Sequence, residues 1–354
     1  MIDWVKALIP WRHSQPINDG QITRTRGDGS VEWSVNARQP ILGSYDTKIH
    51  IHSDHKTWNP ATGLFEFIVF DGNPVKFFQG HNLWGTNDLT GLMAETCHRI
   101  SGIIDLPIND FDWCLISNGA YELKRVDSTI MVDLNNLQSV KSFLYSAERL
   151  AHMRYKGQGV MKEGTLYFAP KSRRESLKMY AKGEEIRAKG HELPLALQAL
   201  PQIYQWADSK LRIEDVMRSM ELKDRGLRLA CNWDENTAHE IVFKALSGID
   251  MSEQHTLPDP LIASLPAGLK STYVLWKAGY DIRTSLTQTT FKRHRKQLRE
   301  IASIDIAIKQ PKEEKQPTNV IEFRRVLSPV LCPQVPEWAI GTDLYFEPRA
   351  KIAR

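Results

Sequence analysis

Between Thr165 and Lys189 the chain sets one tyrosine among lysines, with a glutamate just beyond. Ser176 to Lys182 alternates as a strand would, which predicts Leu177 and Met179 on one side and Lys178, Tyr180 and Lys182 on the other. A phenol between two ammonium groups is what a phosphodiester-cleaving tyrosine needs. A free tyrosine has a pKa of about 10 and is a poor nucleophile near neutrality, whereas nearby cations favour the phenolate and draw in a phosphate backbone. Arg125-Val126-Asp127 and Arg212-Ile213-Glu214 each place an arginine and a carboxylate on one face of a predicted strand. Carboxylates from separate strands can share one Mg²⁺ and leave positions for water and a phosphate oxygen. Each feature also has an ordinary reading: a half-exposed strand for the lysine-tyrosine run, ion pairs on a wet sheet face for the two triplets. Taken alone, those readings are favoured. His50-Ile51-His52 is a further candidate, because histidines two apart on a strand face one side and could bind a metal; a surface strand with His55 nearby explains them as well.

The elements that must position these groups are mostly strands. Lys48 to Ser53, Leu64 to Phe70, Pro74 to Phe78, Tyr121 to Asp133, Thr165 to Phe168 and Ser176 to Lys182 read as strands, and Leu211 to Met217 as another whose pattern also fits a helix. Asp88 reads as the cap of a helix carrying Leu89, Leu92, Met93, Thr96, Ile100 and Ile103. A second helix starts near Asn136 with the stripe Leu137, Val140, Phe143, Leu144, Ala147 and Leu150. Short links favour hairpins, so the fold class is α+β, a largely antiparallel sheet with helices on one face, followed by a small helical module.

At 354 residues, 42% hydrophobic and 25% charged, the chain can bury a full core. No apolar run approaches the roughly 20 residues of a membrane span, and the start suits no signal peptide, so a cytoplasmic protein without a membrane partner is expected. Cys97, Cys114, Cys231 and Cys332 form no CxxC pair and read as reduced, mostly buried thiols. The net charge is only +4, but Lys270 to Arg299 holds eight basic residues against one acid, Asp281. That block points to a localised anionic partner.

Leu257 to Pro266, with three prolines, reads as a linker, giving residues 1–256 as one domain, 257–266 as the linker and 267–308 as a helical module. Ser271 to Lys277 and Thr290 to Ile301 are its predicted helices, separated by Gly279-Tyr280-Asp281. Lys292, Arg295, Lys296 and Arg299 recur at spacings of three and four on the second, next to Arg293. The pair could be a DNA-binding helix-turn-helix or a solvated basic helix in a bundle. Lys309 to Thr318 reads as a flexible linker before a tail at 319–354. Trp58 and Trp84 could stack on unpaired bases or be buried. In Gln79-Gly80-His81-Asn82, the last three suit a hydrogen-bonded turn.

The residues resemble the gene II replication initiators of filamentous phages, including those of Vibrio and Pseudomonas phages. The likeness runs from Met1-Ile2-Asp3 through KFFQGHNLWGTNDL (Lys76 to Leu89), Arg125-Val126-Asp127, TLYF from Thr165, the pattern Tyr180, Lys182, Glu185, then Leu211-Arg212-Ile213-Glu214 and the end segments from Pro336 and Glu347. The central segments also look like those of rolling-circle initiators of small Gram-positive plasmids. The resemblance implies a site-specific nicking and closing endonuclease of bacterial cytoplasm that opens and ends rolling-circle replication on phage origin DNA, duplex and single-stranded. It implies Tyr180 as nucleophile, Lys182 and Glu185 as its catalytic neighbours, and Mg²⁺ or Mn²⁺ on Asp127 and Glu214. Arg125, Lys178, His81 and Asn82, with Lys292, Arg293, Arg295, Lys296 and Arg299, are expected on the DNA. Host helicase and polymerase, and self-association on the origin, are expected partners. Met251, before the basic module, could start a shorter product, as in that family. A non-enzymatic phage DNA-binding regulator and a plasmid-type initiator are the alternatives.

Overall fold

The computed structural model describes residues 1–18, 20–153, 156–250, 265–302, 304–308, 332 and 334–348. Its centre is a ten-stranded sheet in which neighbours run antiparallel. From one edge the order is Val160–Lys162, Thr165–Phe168, Glu175–Ala181, Lys210–Arg218, Glu122–Asp133, Ile2–His13, Leu64–Gly72, Lys48–Ser53 and Gln39–Leu42, with Trp58–Asn59 beside Leu64–Gly72. The N-terminal strand thus lies in the middle, between two elements far downstream in the chain.

Strand alternation gives this sheet two different faces. One is apolar: Val5, Ala7 and Ile9, with Val126, Phe70 and Met217, meet Leu92, Met93, Cys97 and Ile100 of helix Leu89–Ile104. Beside it, Ile130, Val132, Leu177, Met179, Leu211 and Ile213 pack on Val140, Phe143 and Leu144 of helix Leu137–Leu150 and on Val242 and Leu246 of Thr237–Ser247. The other face carries Arg125, Asp127, Lys178, Tyr180, Arg212 and Glu214. Both helices begin at the caps that the sequence signals. Asp88 accepts from Gly91 N at 2.8 Å and Asn136 from Ser139 N at 2.9 Å.

Two elements differ from expectation. Pro74–Gln79 is a helix where alternation predicts a strand. Asn73 accepts from Lys76 N at 2.8 Å as N-cap, Pro74 fills the first turn where no N–H is needed, and Gly80 ends the helix at φ 80°. The tyrosine strand stops at Ala181, and Lys182–Glu185 forms a helical turn, so Lys182 leaves the strand. A hairpin, Gln21–Thr25 with Val31–Asn36, stands outside the main sheet. Of the four cysteines only Cys97 is buried, which corrects the expected burial; Cys114 and Cys231 face solvent.

Helices Ala267–Lys277, Ile282–Ser285 and Gln288–Ala302 close around their own core of Leu269, Tyr273, Trp276, Ile282 and Leu298. The Leu257 to Pro266 linker lies outside the described residues up to 264, as does the linker from Lys309 to Thr318. Within the expected tail, residues 334–348 are packed on the sheet domain. Trp84 Nε1 donates to Leu344 O at 2.7 Å, Phe346 N donates to Gln79 Oε1 at 3.0 Å, and the Phe346 ring stacks on Phe78 at 3.8 Å. Among the described residues no helix is long and apolar enough to cross a membrane.

Candidate active site

Register brings the three sequence triplets together. Tyr180 pairs with Arg212 and Lys178 with Glu214; Glu214 pairs with Thr129, two residues along from Asp127. Directly opposite residues of antiparallel strands share a face, so alternation alone aims all of these side chains one way. Tyr180, Lys178, Asp127, Arg125 and Glu214 line a cleft of about 550 Å³ together with Asp3, Trp4, Asn82, Tyr167 and Glu185.

Within the cleft, the Tyr180 hydroxyl donates to Glu214 Oε2 at 3.3 Å, and the other oxygen of Glu214 is ion-paired with Lys178. Asp127 is gripped by Arg125, with Nε to Oδ1 at 2.6 Å and Nη2 to Oδ2 at 2.5 Å. Arg212 is wholly buried, 2.7 Å from Asp3 and 4.0 Å from Glu214, and donates to the carbonyl of Asn82. Asp3 also accepts from Asn73 at 2.7 Å and from Asn82 at 2.8 Å. Lys182, 1% exposed, donates to Glu185 at 2.6 Å and to Asn82 Oδ1 at 2.9 Å.

The ionisation of these groups follows from burial and neighbours. Burial dominates at Tyr180 and pushes the phenol well above 10, with Arg212 opposing and Glu214 reinforcing the rise. This overturns the expectation that flanking lysines hold a phenolate: Tyr180 is only 9% exposed, and Lys182 lies 6.0 Å from the ring centre, tied to Glu185. Burial likewise lifts Asp127 to about 7, Glu214 adding to the rise and Arg125 opposing it. Lys182 is lowered to about 8 by burial, against the pull of Glu185. Burial would raise Asp3, but Arg212 and Asn82 hold it well below the carboxylate range. For Lys178, Glu214 and Asp127 outweigh burial and raise the ammonium.

The hard oxygens of Asp127 and Glu214 suit Mg²⁺. Both oxygens of Asp127 are held by Arg125, and those of Glu214 by Lys178 and Tyr180, so a cation here would share or displace these partners. Among the described residues no group of three His, Cys, Asp or Glu could hold a metal. His50 and His52 lie five strands from Tyr180.

Other predicted contacts are placed differently. His81 is fully buried, edge-on to Trp84 at 4.6 Å and lowered to about 3 by burial, so its side chain packs inside the turn and is not presented on the surface. Asn82 sits at the cleft but spends its side chain on Asp3 and Lys182. Arg295 turns inward to Asp305 through two bonds of 2.6 Å, leaving the basic face expected of it, while Lys292, Arg293, Lys296 and Arg299 stay exposed. Trp84 is buried; Trp58 is 43% exposed against Phe65. The residues missed from sequence are Asp3, Asn73, Trp4 and Tyr167. Asp3, Trp4 and Tyr167 reach the cleft by their place in the sheet and Asn73 as the cap that follows Leu64–Gly72, although Asp3 is visible in the Met1-Ile2-Asp3 string.

The sheet thus has an apolar, helix-covered face and a charged face bearing tyrosine, carboxylates and cations. The chain belongs to the filamentous phage gene II family of replication-associated proteins. The family model described as the N-terminal part of this replication-associated protein matches residues 1–236, and the model of its C-terminal part matches residues 259–345. The replication-associated protein of the same type from Enterobacteria phage I2-2 is 36% identical over 329 residues, covering 92% of this chain and 93% of that one. Among solved structures, the rolling circle replication initiator protein of Geobacillus stearothermophilus overlaps 88% of this chain and 98% of its own, at 12% identity and a TM-score of 0.32.

Proposed function

We propose that this chain is a site-specific DNA nicking and closing enzyme that starts and ends rolling-circle replication of a filamentous phage genome. The observation that carries the reading is the meeting of Tyr180 and Glu214 at 3.3 Å in a cleft that Asp127 and Lys178 also line. In this account Glu214 Oε2 takes the phenol proton as Tyr180 attacks the scissile phosphorus in line. The P–O3′ bond breaks, a 5′-phosphotyrosine forms, and the leaving 3′-oxygen takes a proton from water, while Glu214 returns its own to solvent, freeing the 3′-hydroxyl as primer. Lys178 lies where it can meet a non-bridging oxygen. Lys182 and Glu185 hold the Asn82 loop against the tyrosine strand as positioning residues. Arg125 keeps Asp127 oriented. A Mg²⁺ or Mn²⁺ would be held by Asp127, with Glu214 as a second ligand only while it does not carry the phenol proton, and would supply charge against the phosphate oxygens. Closing reverses the chemistry: a new 3′-hydroxyl attacks the phosphotyrosine and returns the phenol.

Lys292, Arg293, Lys296 and Arg299 present an exposed basic helix for the duplex of the origin. Host helicase and polymerase would take over the opened strand, in the bacterial cytoplasm. The test is relaxation of a supercoiled plasmid carrying the phage intergenic region, with and without Mg²⁺. A nickase relaxes it only with the metal and leaves an SDS-resistant adduct; a chain that binds the plasmid equally in both conditions and leaves it supercoiled is a regulator.

A further inference from the structure

The charged sheet face continues beyond Asp127, away from Tyr180. Trp4 pairs with Asp127, Lys6 with Arg125 on one side and Asp71 on the other, His50 with Asp71, and His52 with Val69. Alternation therefore places Trp4, Lys6, Asp71, His50 and His52 on the tyrosine's face. Adjacent strands lie about 5 Å apart, so five steps span roughly 25 Å from the strand of Tyr180 to that of His50.

Trp4 is half-buried and lines the cleft. Its indole N–H donates to Asp71 Oδ1 at 2.9 Å, which fixes the ring, and the Arg125 guanidinium lies 5.7 Å from the ring centre. On the far side, Asp71 Oδ2 is shared by Lys6 at 3.1 Å and Arg38 at 2.9 Å. Two cations on one carboxylate leave a surplus positive charge, and Arg38 is 48% exposed. A fixed aromatic ring beside the catalytic carboxylates, followed by cations, has the make-up of a single-strand track, where bases stack and the backbone meets ammonium and guanidinium groups.

We propose that the unpaired DNA strand crosses the sheet in this direction, Trp4 stacking on a nucleobase that flanks the scissile phosphate and Lys6 and Arg38 taking phosphates beyond it. The proposal rests on the nicking reading and assigns His50 and His52 to the far end of the track.

The probe is a single-stranded oligonucleotide of the phage intergenic region spanning the mapped nick, with one abasic position moved through about five nucleotides on either side. Binding and cleavage by the full-length chain are both read. One abasic position should weaken binding and cleavage by wild type about tenfold. Trp4→Ala should show the same loss on the intact strand and no further loss on that abasic strand, and Trp4→Phe should keep most of the activity. Deficits that multiply, or a wild type indifferent to every abasic position, would overturn the stacking. The Lys6→Gln/Arg38→Gln variant should lower the slope of log affinity against log salt by about 1.4, the single-strand value for two phosphates; an unchanged slope overturns the track even where Trp4→Ala fails to fold. A wild type that binds the strand without cutting it overturns the nicking reading, and the binding arm then decides the path.

Discussion

Glu185→Gln isolates how a buried ammonium is kept charged beside the candidate nucleophile. Lys182 is 1% exposed and has two partners, Glu185 at 2.6 Å and Asn82 at 2.9 Å. Breaking a buried ion pair by removing one partner ordinarily costs about 3–5 kcal/mol. Here the lysine has an escape, because burial has already lowered it from 10.5 to about 8. Giving up its proton at pH 7 then costs one further pH unit, about 1.4 kcal/mol, which caps the loss traceable to the ammonium. The sign with pH is fixed as well. For a base whose folded pKa lies below its unfolded one, the penalty is fully present below about 8 and is relieved as pH rises toward 10.5, so this group's contribution to stability improves across that window. At pH 9 the wild-type lysine is already largely neutral. Urea unfolding of wild type and Glu185→Gln should therefore differ by about 1.4 kcal/mol at pH 7 and by much less at pH 9. A difference of about 3–5 kcal/mol that persists at both pH values would refute the reasoning, since it would mean an ammonium that stays charged without its partner.

Asp127 and the Asp3–Arg212 pair can be probed in the same way. Asp127, lifted to about 7, must lose its proton to hold a cation, so the Mg²⁺ concentration for half-maximal nicking should rise about tenfold for each pH unit below 7 and level off above it. As a raised acid, Asp127 also contributes stability that is lost as pH climbs from 3.8 through 7. Asp127→Asn should abolish nicking, and a flat Mg²⁺ requirement between pH 6 and 8 in the wild type would contradict the assignment. Asp3→Ala strips the buried Arg212 of its carboxylate partner at 2.7 Å and should cost about 3–5 kcal/mol in denaturant unfolding; a loss below about 1 kcal/mol would show that Arg212 does not depend on Asp3.

The charged face is readable because a strand's period is two. Arg125 with Asp127, Lys178 with Tyr180, and Arg212 with Glu214 each stand two apart, so each pair shares one side of its own strand, and the register then puts all three pairs on one face of the sheet. Which strands pair is not a local property. Asp3 and Trp4 reach the cleft only because Ile2–His13 inserts between Glu122–Asp133 and Leu64–Gly72. Alternation carries Lys182 into the strand because it runs one residue past the point where Gly183 and two glutamates open a helical turn. Pro74–Gln79 looks like a strand because Val75 and Phe77 alternate, whereas the Asn73-Pro74 pair holds the capping signal. The ionisation of Tyr180 escapes the sequence for a different reason: neighbouring charges can be read from it, but the burial that outweighs them cannot.

Mapping the covalent adduct tests the nucleophile directly, because Tyr167 lines the same cleft and sits across from Lys178. The plasmid reaction is stopped with SDS, the DNA is trimmed by nuclease, and the phosphotyrosine peptide is sequenced by mass spectrometry for wild type and for Tyr180→Phe. A nucleotide should be found on Tyr180 in the wild type, with no adduct and no relaxation for Tyr180→Phe, which should still bind origin duplex. A nucleotide on Tyr167, or wild-type relaxation by Tyr180→Phe, would contradict it.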